Sequence, residues 1–254
     1  MKTINSRSVN LLGAALLMAV ASGGAAAATQ VYEGLDNAFL AAGGSHPNAD
    51  AARSAFEAAV NVLLVQTFDD LPAGSAPANL SGPFGASLNA TASGYVNIAD
   101  ARGSFDTFPS NGKFLDALGG NGNTYYTFRF DIPTRALGFD ISDASDWFAD
   151  VRPASNLVVT LLTSHGTVEL PMFSAISPHD IVNGSFGFFG VVSDAQDLRG
   201  FSISNPLGNP DADAIGIDNL SVNIEPVPLP ASAWMLLSAL GGVAGLRRRR
   251  RVAR

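Results

Sequence analysis

From Val62 to Ile224 the chain is a succession of short runs rich in Val, Ile, Phe, Tyr and Thr, each closed off by Gly, Pro, Asn or Asp. That rhythm constrains the fold more than any other feature of the sequence. β-Branched and aromatic side chains suit a pleated, half-buried surface, and the closing residues supply turns. The runs are Val62 to Phe68, Phe84 to Ala90, Gly94 to Ala99, Thr124 to Phe130, Arg135 to Ile141, Leu157 to Thr163, Thr167 to Leu170, Phe186 to Val192, Gly200 to Ser204 and Ile215 to Ile224. Several alternate with period two: Tyr126, Phe128 and Phe130 stand against Tyr125, Thr127 and Arg129, and Ile217, Leu220 and Val222 surround Asp218 and Asn219. Ten such strands predict a mostly β chain, an antiparallel β-sandwich of jelly-roll-like strand number and spacing.

Ahead of the strands, residues 48–61 read as one short helix, with Asn48 as N-cap, Asp50 in the first turn, and Ala52, Phe56, Ala59 and Val60 forming its apolar side. Both ends of the chain carry further apolar segments of helical character. Residues 1–28 have the layout of a secretory signal: Lys2 and Arg7 are the charged region, Leu11 to Ala21 the apolar segment, and Ala26-Ala27-Ala28 a small-residue cleavage site before Thr29. At the other end, the proline-rich Glu225 to Pro230 leads into the apolar run 231–246 and then into Arg247, Arg248, Arg249, Arg250 and Arg251. A helix of that length reaches about 24 Å, a marginal span of the roughly 30 Å hydrocarbon core, and Trp234 and the arginine stems extend it at the interfaces. With the arginines held inside, the body lies outside, in agreement with the leader. Residues 29–226 are then a single domain of ordinary size.

Charge and cysteine content narrow the function. The body holds all 22 acidic residues of the chain but seven basic ones, a formal charge of −15. Phosphate binding needs a positive face, so nucleic acid is excluded as a partner. Absence of cysteine removes disulfides, thiolate catalysis and zinc–thiolate sites.

The tail Val227-Pro228-Leu229-Pro230-Ala231, with the apolar run and the arginine cluster after it, closely resembles the PEP-CTERM sorting signal of Gram-negative bacteria in its VPLPA variant. The resemblance implies cleavage near the proline motif by an exosortase, after passage through the Sec machinery and signal peptidase. It also implies transient anchoring in the inner membrane and a setting that makes extracellular polysaccharide. Leucine stands where the eponymous motif has glutamate, which leaves the exosortase subtype open. In the body, Thr67 to Pro72, Ala136 to Asp143 and Ala214 to Val222, with Phe186 to Val191, resemble the β-sandwich domain that recurs in PEP-CTERM proteins and lectin-like jelly rolls.

Four groups of side chains are candidates for chemistry. A jelly roll brings its first and last strands together, so Asp69 and Asp70 are expected to meet Asp218 and Asn219, whose oxygens suit calcium; the resemblance to carbohydrate-binding jelly rolls implies a structural calcium there. The competing reading is that these residues cap turns. Asp140, Asp143, Asp146 and Asp150 surround Trp147 and Phe148, a candidate ligand-facing loop in which an aromatic ring stacks on a sugar, with Asp143, Asp146 and Trp147 as its contacts; its alternative is that Trp147 and Phe148 close the end of the sandwich while the aspartates stay wet. His46, His165 and His179 are scattered and read as satisfied surface residues. Glycoside hydrolysis needs two facing carboxylates, and Glu169 is the glutamate within the strands.

The reading that results is a non-catalytic, exosortase-sorted protein of the cell surface or polysaccharide matrix that binds glycan or calcium. A glycoside-acting enzyme on the same fold and a purely structural or adhesive matrix component stand beside it.

Overall fold

The computed structural model describes residues 29–37, 45–61, 63–77, 79–80, 86–89, 96–100, 112–118, 124–144, 157–175, 184–194, 197–205 and 214–223. In chain order the elements are β1 (Thr29–Asp36), α1 (Pro47–Ala59), β2 (Leu64–Gln66), β3 (Gly74–Ser75), β4 (Asn79–Leu80), β5 (Ala86–Asn89), β6 (Val96–Asp100) and β7 (Lys113–Leu118). They continue with β8 (Thr124–Thr134), β9 (Ala136–Ser142), β10 (Val158–Thr163), β11 (Gly166–Pro171), β12 (Phe186–Ser193), β13 (Leu198–Ser204) and β14 (Ala214–Asn223). The strands form two sheets, one ordered β1-β12-β9-β14-β7-β6-β3 with β2 also on β14, the other β11-β10-β13-β8-β5-β4. Every pairing is antiparallel. The chain is therefore mostly β, a two-sheet sandwich with one short helix.

Alternation along the strands builds the core. Leu137, Phe139 and Ile141 of β9, Phe189 and Val191 of β12, and Ile215 and Ile217 of β14 face Tyr126, Phe128, Phe201 and Ile203 of the other sheet. Phe201 stacks on Phe128 at 4.8 Å and on Phe139 at 5.2 Å, so ring faces interlock between the layers. Tyr126 is fully buried, and its hydroxyl donates across the sandwich to the carbonyls of Leu115 at 2.9 Å and Ile215 at 2.7 Å. Burial, with the Asp116 carboxylate adding to it, pushes its phenol well above the ordinary range.

All ten expected strands are present, and four more were not anticipated: β1, β3, β4 and β7. β1 has a particular cause. Its inward register is Val31, Glu33 and Leu35, and the glutamate interrupts the apolar alternation that marks a strand. Glu33 sits there because its Oε2 accepts the Phe173 N–H at 2.7 Å, where the backbone has turned left-handed with φ 51°.

The helix is also corrected. It spans Pro47–Ala59, and its N-cap is His46, not Asn48. Proline is favoured in the first helical turn, where its missing N–H costs nothing. The exposed donors are met from another element: Asp36, at the end of β1, accepts the Asn48 N–H at 3.1 Å and the Ala49 N–H at 2.9 Å. α1 lies on the outer face of the first sheet, where Phe56 joins Phe186, Phe188, Phe114 and Val192 in a second, smaller core. Gly138 and Gly190 make room for that ring, since a Cβ at either would stand 3.0 Å or less from Phe56.

Candidate functional site

The expected meeting of the early and late strands occurs, with Gln66 opposite Leu220 and Leu64 opposite Val222. The side chains beyond it are engaged separately. Asp69 Oδ1 accepts the Lys113 N–H at 2.7 Å, while Lys113 Nζ donates to the carbonyls of Asp69 and Leu71 at 2.9 and 2.7 Å, clasping the 67–72 turn to β7. Asp70 Oδ1 takes a long 3.4 Å hydrogen bond from Gln66. Asp218 and Asn219 form a β-bulge: the register with β9 shifts between Asp218 and Ser221, and Asn219 is left-handed at φ 49°. That extra residue is why Ile217, Leu220 and Val222 can all face inward despite their uneven spacing. Asp218 Oδ1 accepts the Asn219 N–H at 2.7 Å, and Asn219 Nδ2 donates to Asp140 Oδ2 at 2.7 Å. Among the described residues no three His, Cys, Asp or Glu side chains are grouped to hold a metal ion.

Asp140 is the centre of this face. It is fully buried, opposite Asp218 on one side and Phe188 on the other. Arg53 reaches down from α1, with Nη2 2.5 Å from Asp140 Oδ1, Nη1 3.6 Å from Asp50 and the guanidinium 5.7 Å above the Phe188 ring. Burial raises the Asp140 pKa, and Arg53 and Asn219 hold the rise in check.

Of the proposed ligand-facing loop, Asp143 is buried, not at the surface. Its backbone is left-handed at φ 57°, its N–H donates to Ser185 O at 2.9 Å, and its Oδ1 accepts the Gly184 N–H at 3.0 Å. Asp146 and Trp147 lie outside the described residues, as do Val227, Pro228, Leu229, Pro230 and Ala231 and the arginines 247–251. Glu169 is exposed on β11 opposite Thr160. His165 occupies the exposed turn between β10 and β11, and His179 is outside the described residues. His46 differs from the expectation of a satisfied surface residue: it is 2 % exposed, its ring lies 4.2 Å from that of Phe186, and neither ring nitrogen has a partner.

Residues that the sequence reading passed over converge here. The pairing register runs Asp36, Phe186, Ser142, Gly216, Asp116 across five adjacent strands, all on the outer face. Ser142 Oγ and Asp116 Oδ1 are closed to solvent and unpartnered, and so is Arg53 Nε in the neighbouring row. Burial raises the Asp116 carboxyl and lowers the His46 imidazole. Asp116 had a legible signal, since Phe114 and Asp116 alternate with Leu115 and Ala117.

No protein-family model matches the chain, and a search of the curated proteins finds no match. Among solved structures, the K2 cleaved adhesin domain of Lys-gingipain is similar at 11 % identity and TM-score 0.36, covering 65 % of this chain and 99 % of that one. The family 11 carbohydrate-binding module of the cellulosomal cellulase Lic26A-Cel5E of Clostridium thermocellum is similar at 10 % identity and TM-score 0.32, covering 67 % and 100 %.

Proposed function

We infer that the chain is an exported, exosortase-sorted β-sandwich of the cell envelope or extracellular polysaccharide matrix, with a jelly-roll-like strand order, that binds a ligand without catalysing a reaction. One observation carries the sorting half: a proline motif, an apolar run and an arginine cluster follow one another at residues 227–251. Support for the leader comes from its own layout, with Lys2 and Arg7, then Leu11 to Ala21, then Ala26-Ala27-Ala28. For the binding half, the support is the outer face of the first sheet, where buried donors and acceptors stand without partners. The reading places no calcium on Asp69, Asp70 and Asp218, since among the described residues no three such side chains are grouped to hold a metal ion.

The test is to express the full chain in a Gram-negative host with and without an exosortase and to weigh the products. The host with exosortase is expected to yield a chain shortened near residue 230, and Pro228→Ala with Pro230→Ala to abolish the shortening. Equal masses in both hosts would sink the sorting assignment. A screen for glycan turnover with Glu169→Gln as control separates the binding reading from a glycoside-acting enzyme: turnover lost in that variant means the enzyme.

A further inference from the structure

α1 is held to the first sheet by few groups. Of its 13 residues, Ala49 and Phe56 alone are buried. Its polar ties are Asp36, which accepts the Asn48 and Ala49 N–H groups, and Arg53, which reaches Asp140. The contact is closest at the start of the helix, where a Cβ on Gly34 would strike the Asn48 carbonyl, so the first turn rests on β1 with no slack. A segment with so small a buried footprint opens locally at less cost than the two-sheet core beneath it.

His46 sits inside that contact. Its carbonyl accepts the Asp50 N–H at 2.8 Å, which ties it to the first turn, and its ring lies 4.2 Å from that of Phe186 on β12. The side chain is 2 % exposed and neither ring nitrogen has a partner. A proton taken up there creates a buried charge with nothing to accept its hydrogen bonds. The charged groups around it do not change that balance. Asp36 from β1 and Asp50 from α1 favour the imidazolium, but Asp36 is committed to two backbone N–H groups and Asp50 stands 3.6 Å from Arg53. Arg53 of α1 opposes the proton, as does the positive end of the helix, while β12 contributes no charged residue. Burial prevails and lowers the His46 pKa.

We propose that His46 makes α1 an acid-released cover: proton uptake by the buried imidazole lifts the first turn of the helix from β1 and β12 and uncovers Phe186, Phe188 and Val192 while the sandwich stays folded. A group that docks in its neutral form stabilises docking above its free pKa, about 6.5 for histidine, and that contribution is lost as pH falls through the free value toward the docked one. Asp140, the buried carboxyl under the helix, carries the opposite sign, since burial raises its pKa. Release on mild acidification therefore belongs to the histidine. The apolar row it uncovers is the one that Phe56 now closes, with its ring 5.5 Å from that of Phe188.

The experiment measures amide hydrogen exchange of the full chain, held in detergent, at pH 7.5 and pH 5.5, expressed as protection factors so that the pH dependence of the intrinsic rate drops out. α1 is expected to lose up to about tenfold in protection at the lower pH, the factor by which a free imidazole of ordinary pKa has by then taken up its proton, while β9 and β13 keep theirs. His46→Phe keeps an aromatic ring against Phe186 but cannot take a proton, and His46→Gln is a second uncharged replacement. Both are expected to leave α1 equally protected at the two pH values. A parallel loss in α1, β9 and β13 would mean that the helix opens only with the whole domain, and would overturn the local release. A loss in α1 below about twofold, or the same loss in the two variants as in the parent chain, would place the pH response outside His46 and overturn the proposal as well. Proton NMR of the chain labelled at histidine gives a readout that holds even where a variant does not dock. The His46 ring is expected to titrate below the ordinary histidine value, in step with the loss of protection; titration at or above that value would remove the premise of a neutral docked ring.

Discussion

Replacing Arg53 by Met tests whether the ion pair beneath α1 holds the helix to the sheet. Methionine removes the guanidinium while keeping an unbranched side chain, and leaves the Asp140 carboxylate, fully buried, facing Asp218 with Asn219 donating to it. Breaking a buried pair on one side costs about 3–5 kcal/mol. The lower end applies here, because the Arg53 side chain is a quarter exposed and the Asn219 hydrogen bond survives. About 3 kcal/mol on a domain of this size lowers the melting temperature by roughly 6–12 °C. The loss has a pH signature. Burial already raises the Asp140 pKa in the folded protein, and removing the guanidinium raises it further. A group whose folded pKa lies above its unfolded value binds more protons when folded, so its contribution is present below the unfolded pKa and is lost as pH rises through the folded pKa. Scanning calorimetry of the full chain at pH 7 and pH 5 should therefore show the Arg53→Met deficit shrinking on acidification. The double variant Arg53→Met with Asp140→Leu should recover most of it at both pH values, since an apolar pair replaces the charges. A deficit under about 2 °C at pH 7, or one that acid leaves unchanged, would refute the account.

Two further outcomes are expected. Asp36→Ala removes the acceptor for the Asn48 and Ala49 N–H groups and should cost about 1–2 kcal/mol, read by denaturant midpoint, with Asp36→Asn recovering part of it; no change would mean that the helix start is held by packing alone. His46 carries the opposite pH sign to Asp140: burial lowers its folded pKa, opposed by Asp36 and Asp50 and reinforced by Arg53, so the stability tied to its neutral form is lost as pH falls through the unfolded value and toward the folded one. His46→Gln should flatten the stability profile between about pH 6.5 and pH 5, and an unchanged profile there would show that His46 does not titrate on unfolding.

How far the sequence is legible depends on the reach of the interaction concerned. Alternation of Tyr126, Phe128 and Phe130, or of Ile215 and Ile217, is a local consequence of the pleat, and the ten strands expected from alternation and from runs closed by turn residues all exist. β1 escaped because Glu33 occupies an inward position for the sake of Phe173, 140 residues away. The capping of α1 escaped because its acceptor, Asp36, belongs to another element. The strand before Asp69 pairs with the strand that carries Asp218, as expected, but what each carboxylate holds was decided by Lys113 and by the bulge at Asn219.

Strand content, the two-sheet class, the excess of acidic charge and the order of proline motif, apolar run and arginines in the tail are properties of composition and short-range pattern, and the sequence by itself determined them. Which polar residues lie buried on the outer face was decided only by the tertiary structure. Strand order sets that, by pairing β9 with β14 and β14 with β7, which places Ser142 and Asp116 on either side of Gly216 although they stand far apart along the chain. Local pattern shows which way a side chain points from its own strand, but not which strand will lie beside it, because that choice is made by the non-local burial of the whole sheet.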